Sequence, residues 1–246
     1  YHRALELHRS VGNRLGEANS LRAIGDVQQF RKELDSALAG YQQALELYRS
    51  VGDRLGEANS LQATGDVLLF LGDLNAALEN YYLALELYRS VGDRLGEANV
   101  LHATGDIKRR LGDYDTAFES YRLALAIYRE IGARLGEANT LQSISDIQRL
   151  RGELDNALEN YYYALELYRQ IGDRLGESNI LSSIASILFE RHDYGGAQEH
   201  YRRALALKES IGDLLGTANA LVGLGQVLVS SQKVGAANRQ PTKRRD

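Results

Sequence analysis

"VGDRLGEAN" at residues 51–59 packs two glycines, an acid, an arginine and an asparagine into nine positions. The wording returns as VGNRLGEAN at 11–19, VGDRLGEAN at 91–99, IGARLGEAN at 131–139, IGDRLGESN at 171–179 and IGDLLGTAN at 211–219. Such a stretch could cradle a phosphate, its glycines letting backbone N–H groups approach an anion. It could instead punctuate a repeat. The copies stand forty residues apart without slippage, and a fixed period of that size is the signature of a repeat array. No glycine-rich segment is followed by Lys-Ser or Lys-Thr, so a phosphate loop would lack its cation and its hydroxyl.

One unit runs over residues 52–91. Leu55, Ala58, Leu61, Leu68 and Leu71 in its first half recur at helical spacing, as do Leu74, Ala77, Leu78, Tyr81, Ala84, Leu85 and Tyr88 in its second. Neither half alternates as a strand does. At Gly52-Asp53 and Gly72-Asp73 the glycine suits the left-handed residue after a helix, and the aspartate suits the N-cap of the next. Each unit therefore predicts two antiparallel helices of roughly 18 residues, each about 27 Å long. The expected fold is all-α, with about twelve antiparallel helices. Five full pairs span 13–210 and a partial unit stands at each end, giving an array over 1–231. Gly65 falls inside a helix, where it costs about 1 kcal/mol relative to Ala. It recurs as Gly25, Gly105 and Gly225, with Ser145 and Ala185 in the other units, which predicts close approach of a neighbouring helix.

Composition narrows the function. The chain has 246 residues, 44% hydrophobic and 25% charged, and no Cys. Disulfides, thiolate metal sites and a cysteine nucleophile are excluded, and a reducing, cytoplasmic location is the expectation. No apolar run approaches the roughly 20 residues that span a bilayer, so no membrane role is expected. The N-terminus has no signal-peptide pattern, and a start on Tyr1 rather than Met suggests a processed or excised segment. The last fifteen residues, 232–246, hold five bases and one acid and are expected to form a disordered tail. The rest carries 24 bases against 32 acids, a balance of −8, which argues against nucleic acid as a ligand.

The unit resembles the tetratricopeptide repeat. Leu61, Thr64-Gly65, Leu68, Ala77, Tyr81 and Ala84 fall on that family's pattern. Ala37/Tyr41/Ala44, Ala117/Tyr121/Ala124, Ala157/Tyr161/Ala164 and Ala197/Tyr201/Ala204 repeat its second half. The likeness covers residues 1 to about 231. The unit is longer than the family's 34 residues, and Gly-Asp stands where the family ends its helix with Pro. In both respects it is similar to the extended repeats of the Pins/LGN scaffolds and, more loosely, of kinesin light chains. The wording IGDRLGE is also similar to arrays in bacterial signalling ATPases. The resemblance implies a right-handed α-α superhelix, or solenoid, whose first helices line a concave, peptide-binding groove.

Asn59, Gln62, Ala63, Asp66 and Phe70 form one stripe on the first helix, beside the packed leucines; by resemblance this stripe is concave. Across units it gives an asparagine row of Asn19, Asn59, Asn99, Asn139, Asn179 and Asn219. Asp26, Asp66, Asp106 and Asp146 form an acidic row that ends at Ser186 and Gln226. Between them runs a varied row of Arg22, Gln62, His102, Gln142, Ser182 and Val222. An Asn amide can donate to and accept from one peptide unit, so the Asn row suits the backbone of an extended ligand. The varied row would discriminate side chains, the Asp row would favour Lys or Arg, and Arg109, Arg110 and Arg149 would meet a carboxylate. Equally, the Asn row could bond only between helices and the Asp row could be solvated. Arg14, Arg54, Arg94, Arg134 and Arg174 are expected to pair with acids of the neighbouring unit. Tyr41, Tyr81, Tyr121, Tyr161 and Tyr201 are expected in the core, and Tyr48, Tyr88, Tyr128 and Tyr168 between units.

The five histidines include no i, i+4 pair and no H-E-x-x-H, so no metal site is expected. No cofactor is expected either. Paired carboxylates recur with the period, whereas an active site should break it once. The expected function is a non-catalytic module that binds a linear peptide segment of an unidentified protein partner. The alternative is a structural or sensor array of a larger signalling protein, or a rod that self-associates head to tail through its terminal helices.

Overall fold

The glycine–acid dipeptides mark the helix ends. In the computed structural model, which describes residues 1–237, Gly52 and Gly72 are left-handed at φ +74° and +85°. The Asp53 carboxylate accepts the Gly56 N–H at 3.0 Å, and Asp73 accepts that of Ala76 at 3.1 Å. The resulting elements are α1 (His2–Ser10), α2 (Arg14–Phe30), α3 (Leu34–Val51), α4 (Arg54–Leu71), α5 (Leu74–Val91) and α6 (Arg94–Arg110). They continue as α7 (Tyr114–Ile131), α8 (Arg134–Leu150), α9 (Leu154–Ile171), α10 (Arg174–Glu190), α11 (Tyr194–Ile211) and α12 (Leu214–Ala237). All twelve are helices, and no strand occurs among the described residues. Where the dipeptide changes, the geometry persists at a cost. Lys32 and His192 hold the left-handed position at φ +62° and +64° without being glycine, and the N-caps Glu33 and Glu153 accept no capping bond.

The helices sort into two units, residues 1–133 and residues from Arg134 onward. In the first, α2/α3, α4/α5 and α6/α7 are antiparallel pairs, and α1 packs on α2. In the second the pairs are α8/α9 and α10/α11, with α12 against α11. Within each unit successive first helices touch: α2 with α4 and α4 with α6, then α8 with α10 and α10 with α12. Successive second helices do not. First helices thus occupy the inner side of each unit, as the resemblance implies.

Tyr41, Tyr81, Tyr121 and Tyr161 are fully buried; Tyr201 is only half-buried. Their rings explain the mid-helix glycines more specifically than helix approach does. A Cβ at Gly25, Gly65 or Gly105 would lie 2.6, 2.5 or 2.6 Å from the ring of Tyr41, Tyr81 or Tyr121. Gly225 departs from the expectation: nothing lies within 4 Å of its Cβ position, because no second helix follows α12 among the described residues. The same absence leaves Leu221 50% exposed, whereas Leu61, Leu101, Leu141 and Leu181 are buried.

Two further expectations change at α12. It continues to Ala237, past the expected limit of 231, so residues 232–237 are helical; residues 238–246 of the expected tail lie outside the described residues. Leu214–Lys233 is also long and apolar enough to cross a membrane, with mean hydropathy 1.4. The sequence reading missed it because small and polar residues interrupt the apolar run without adding a charge.

Candidate binding site

The opening stretch resolves into separate duties. Gly52 ends α3, Asp53 caps α4, and the Gly56 N–H is spent on that cap. The first turn of α4 thus gives its third amide to its own cap rather than to an anion. The second glycine has a duty that sequence reasoning missed. A Cβ at Gly56, Gly96 or Gly176 would lie 2.3, 2.4 or 2.3 Å from the ring of Tyr48, Tyr88 or Tyr168, and at Gly16 the neighbour is His8. These tyrosines pack between successive pairs, as expected.

The hydroxyls of those rings reach the inner stripe. Tyr48, Tyr88, Tyr128 and Tyr168 donate to Oδ1 of Asn19, Asn59, Asn99 and Asn139 at 2.7, 2.8, 2.7 and 2.6 Å. In the next repeat Lys208 Nζ replaces the hydroxyl, 2.6 Å from Asn179 Oδ1. The Tyr88 hydroxyl also lies 2.7 Å from Gln62 Oε1, and that of Tyr168 lies 3.2 Å from Gln142 Oε1. The acidic row is held the same way. Tyr41, Tyr81 and Tyr121 donate to Asp26, Asp66 and Asp106 at 3.0, 2.6 and 2.6 Å, and Tyr161 donates to Asp146. Both rows therefore bond between helices, but only through oxygen. Asn19, Asn59, Asn99 and Asn139 each keep two Nδ2 donors beside the Oδ1 that a tyrosine fixes.

In the first unit Asn59, Gln62, Asp66 and Asn99 come together around a depression of about 310 Å³ between α4 and α6, with Arg22 and Asp93 also on its wall. His102, Asp106 and Arg109 form a separate cluster on α6. The His102 ring lies 5.2 Å from that of Tyr121, its Nδ1 is 3.6 Å from Asp106, and Arg109 is 3.9 Å from Asp106. In the second unit Arg149 and Asn179 line a larger depression of about 450 Å³ between α10 and α12. Arg149 donates to Ser186 Oγ at 2.9 Å and pairs with Glu190. Asn139, Gln142 and Asp146 stand on α8, outside that depression. Among the described residues no group of three His, Cys, Asp or Glu side chains could hold a metal.

The arginines of the opening motif depart from expectation. Arg94 reaches Glu130 at 2.6 Å and also pairs with Glu97, while Arg134 reaches Gln170 at 3.2 Å and Arg174 reaches Ser210 at 2.7 Å. All these partners belong to the arginine's own helix pair, because the first turn of a first helix lies beside the last turn of its second. Successive pairs are joined by other arginines. Arg9, Arg49, Arg89 and Arg169 meet Glu17, Glu57, Glu97 and Glu177 at 2.7–2.9 Å. The eight-residue spacing was visible in the sequence, but it crosses a helix break and no helical pairing rule predicts it.

Burial suppresses the ionisation of the stripe tyrosines. The Tyr81 hydroxyl is pushed well above its ordinary range by burial and then by Asp66, and Tyr41, Tyr121 and Tyr161 behave alike beside their aspartates. Tyr128 is pushed up to about 12, by burial and then by Asp106. Asp66 is itself raised by burial, against the hydrogen bond from Tyr81. The folded chain therefore holds the tyrosine protons more tightly than the unfolded chain, whose value is near 10. Their contribution to stability is whole below pH 10 and is lost as pH rises toward the folded values. In an alkaline titration these rings should ionise only together with loss of helical circular dichroism. Complete tyrosinate absorbance with the helices intact would contradict this.

The recurrence of five helix pairs, with a single helix at each end, agrees with a family comparison. The tetratricopeptide repeat model matches residues 1–50, 28–90, 57–130, 96–170, 136–210 and 176–239. This chain belongs to the tetratricopeptide repeat family. A comparison with curated proteins gave no match. Among solved structures this tetratricopeptide array is similar to RapI in its apo form, with TM-score 0.76, 16% identity, and coverage of 96% of this chain and 69% of that one. BtubC from P. vanneervenii gives TM-score 0.63 and 18% identity, covering 87% and 96%. A Rap protein complexed with competence and sporulation factor gives TM-score 0.61 and 18% identity, covering 89% and 66%. At such identities the likeness is one of fold.

Proposed function

We propose that this tetratricopeptide array is a binding module that holds an extended peptide segment of a partner protein against its first helices, within each unit. The observation that carries this is the orientation of the asparagines. Tyr88 and Tyr128 fix Oδ1 of Asn59 and Asn99, so the Nδ2 donors are set in advance for carbonyl oxygens of an extended chain. Asp66 faces the same depression and has no ion pair among the described residues, which favours a Lys or Arg of the segment. Phe30 and Phe70, 89% and 65% exposed at the ends of α2 and α4, offer apolar contacts on the first helices. The fold is shared with a Rap protein solved together with competence and sporulation factor, which supports a carrier role for this architecture.

A test follows from the oxygen bonds. Asn59→Asp and Asn99→Asp keep the acceptor for tyrosine and remove the donors, so the array should remain folded. Peptides selected on the wild type from a random library should lose at least about tenfold in affinity for the double variant, as expected for one or two lost hydrogen bonds. Equal affinity would exclude the asparagines from binding. The uncovered Leu221 face of α12 favours a second reading, head-to-tail self-association. Light scattering that gives a mass rising with concentration, with no peptide selected, would replace the first reading with the second.

A further inference from the structure

The two depressions are the same place in the repeat, three periods apart. Residues 59, 66, 88 and 99 of the first become 179, 186, 208 and 219 of the second. Both asparagines are kept, but Asp66 becomes Ser186 and Tyr88 becomes Lys208. The exchange removes an acid and a ring and adds a base. The charged groups on the wall are Arg22, Asp66 and Asp93 in the first unit, and Arg149, Lys208 and Asp213 in the second. On the wall itself the balance of charge passes from acidic to basic, with Arg149 shared with Glu190 outside the lining, while the depression widens from about 310 to about 450 Å³.

We infer that the depression between α10 and α12 is a subsite for an acidic side chain of a bound peptide, the charge-reversed counterpart of the one between α4 and α6. The inference rests on the peptide-binding reading and adds the chemistry of one position. Four repeats satisfy the equivalent asparagine with a neutral tyrosine hydroxyl; here a lysine does so with its side chain only 5% exposed. Burying an ammonium is costly, and a structural bond to Asn179 does not require one. Its counter-charge is incomplete. Asp213 lies 3.4 Å away, and its other oxygen is occupied by the Gly216 N–H that it caps at 2.9 Å. An ammonium has three donors, and Asn179 and Asp213 use two of them. A carboxylate in the depression would take up the remaining charge, with the Asn219 amide on the same wall.

Titration of the isotope-labelled full chain with acetyl-Ala-Glu-Ala-amide, acetyl-Ala-Lys-Ala-amide and inorganic phosphate, followed by amide chemical shifts, tests this. The glutamate peptide should move the signals of Ser186, Gly216 and Asn219. Lys208→Tyr, which restores the residue of the other repeats and should fold, should weaken that binding at least about tenfold, the scale of one charge-assisted hydrogen bond. The lysine peptide should instead move Asn59 and Asp66. Unchanged glutamate-peptide binding in Lys208→Tyr, or phosphate saturating the same signals more tightly than the glutamate peptide, would overturn the inference. If the lysine peptide binds at Asp66 and the glutamate peptide moves nothing, the charge-reversed subsite alone fails. If neither peptide moves any first-helix signal, the peptide-binding reading fails with it.

Discussion

Tyr88→Ala should destabilise the array by about 3–5 kcal/mol, the range for deleting a buried aromatic ring. Tyr88 is 1% exposed and belongs to a core that joins α4, α5 and α6, with Leu61, Leu85, Ala98 and Leu101 among its members. Its ring lies where a Cβ of Gly96 would be, so the backbone already approaches closely and cannot collapse further to fill the hole. Tyr88→Phe keeps the ring and removes one hydroxyl. It should cost only about 1 kcal/mol, because Asn59 and Gln62 are half-buried and can turn to water. Urea denaturation followed by circular dichroism measures both, and amide exchange should place the loss in α4–α6, since repeat arrays need not unfold as one unit. A loss under 1 kcal/mol for the alanine variant would show that this ring does not join successive pairs.

Alanine at two equivalent glycines should have opposite effects. In an open helix, Gly→Ala gains about 1 kcal/mol. At Gly65 the new methyl would meet the Tyr81 ring at 2.5 Å. That ring is fully buried and its hydroxyl is held on Asp66 at 2.6 Å, so it has nowhere to swing. Overpacking of this kind costs about 1–3 kcal/mol, and the tight contact puts Gly65→Ala toward the upper end, giving a net loss. At Gly225 the position is open, and Gly225→Ala should gain the full helix preference. Thermal denaturation of the two variants beside the wild type should displace the midpoint in opposite directions. Two shifts of the same sign would show that the register contact, and not intrinsic preference, has been misassigned.

The period and the punctuation made the fold legible. Forty-residue spacing, Gly-Asp at the helix ends and leucines at helical intervals located the helices, because each signal acts within a few residues along the chain. The candidate site was legible only as rows. That Asn59, Gln62 and Asp66 share a face follows from helical geometry, and that Asn99 repeats Asn59 follows from the period. That their oxygens are claimed by tyrosines 15 or 29 residues away does not, since those pairings depend on how deep the second helix packs. The role of Gly96 under Tyr88 was hidden for the same reason. Lys208 was open to notice, as the lysine in a column of tyrosines, but its meaning needed the depression that it lines. The helical run of α12 beyond residue 231 escaped because no glycine or proline stops it there.

The side-chain amide signals of the asparagines give the most direct view of the proposed role. In a two-dimensional nitrogen–proton spectrum, a peptide selected on the wild type should shift the Nδ2 signals of Asn59 and Asn99, while the Tyr88 and Tyr128 hydroxyl bonds hold Oδ1 in place. Saturable binding that moves second-helix signals and leaves those Nδ2 signals unchanged would contradict the account.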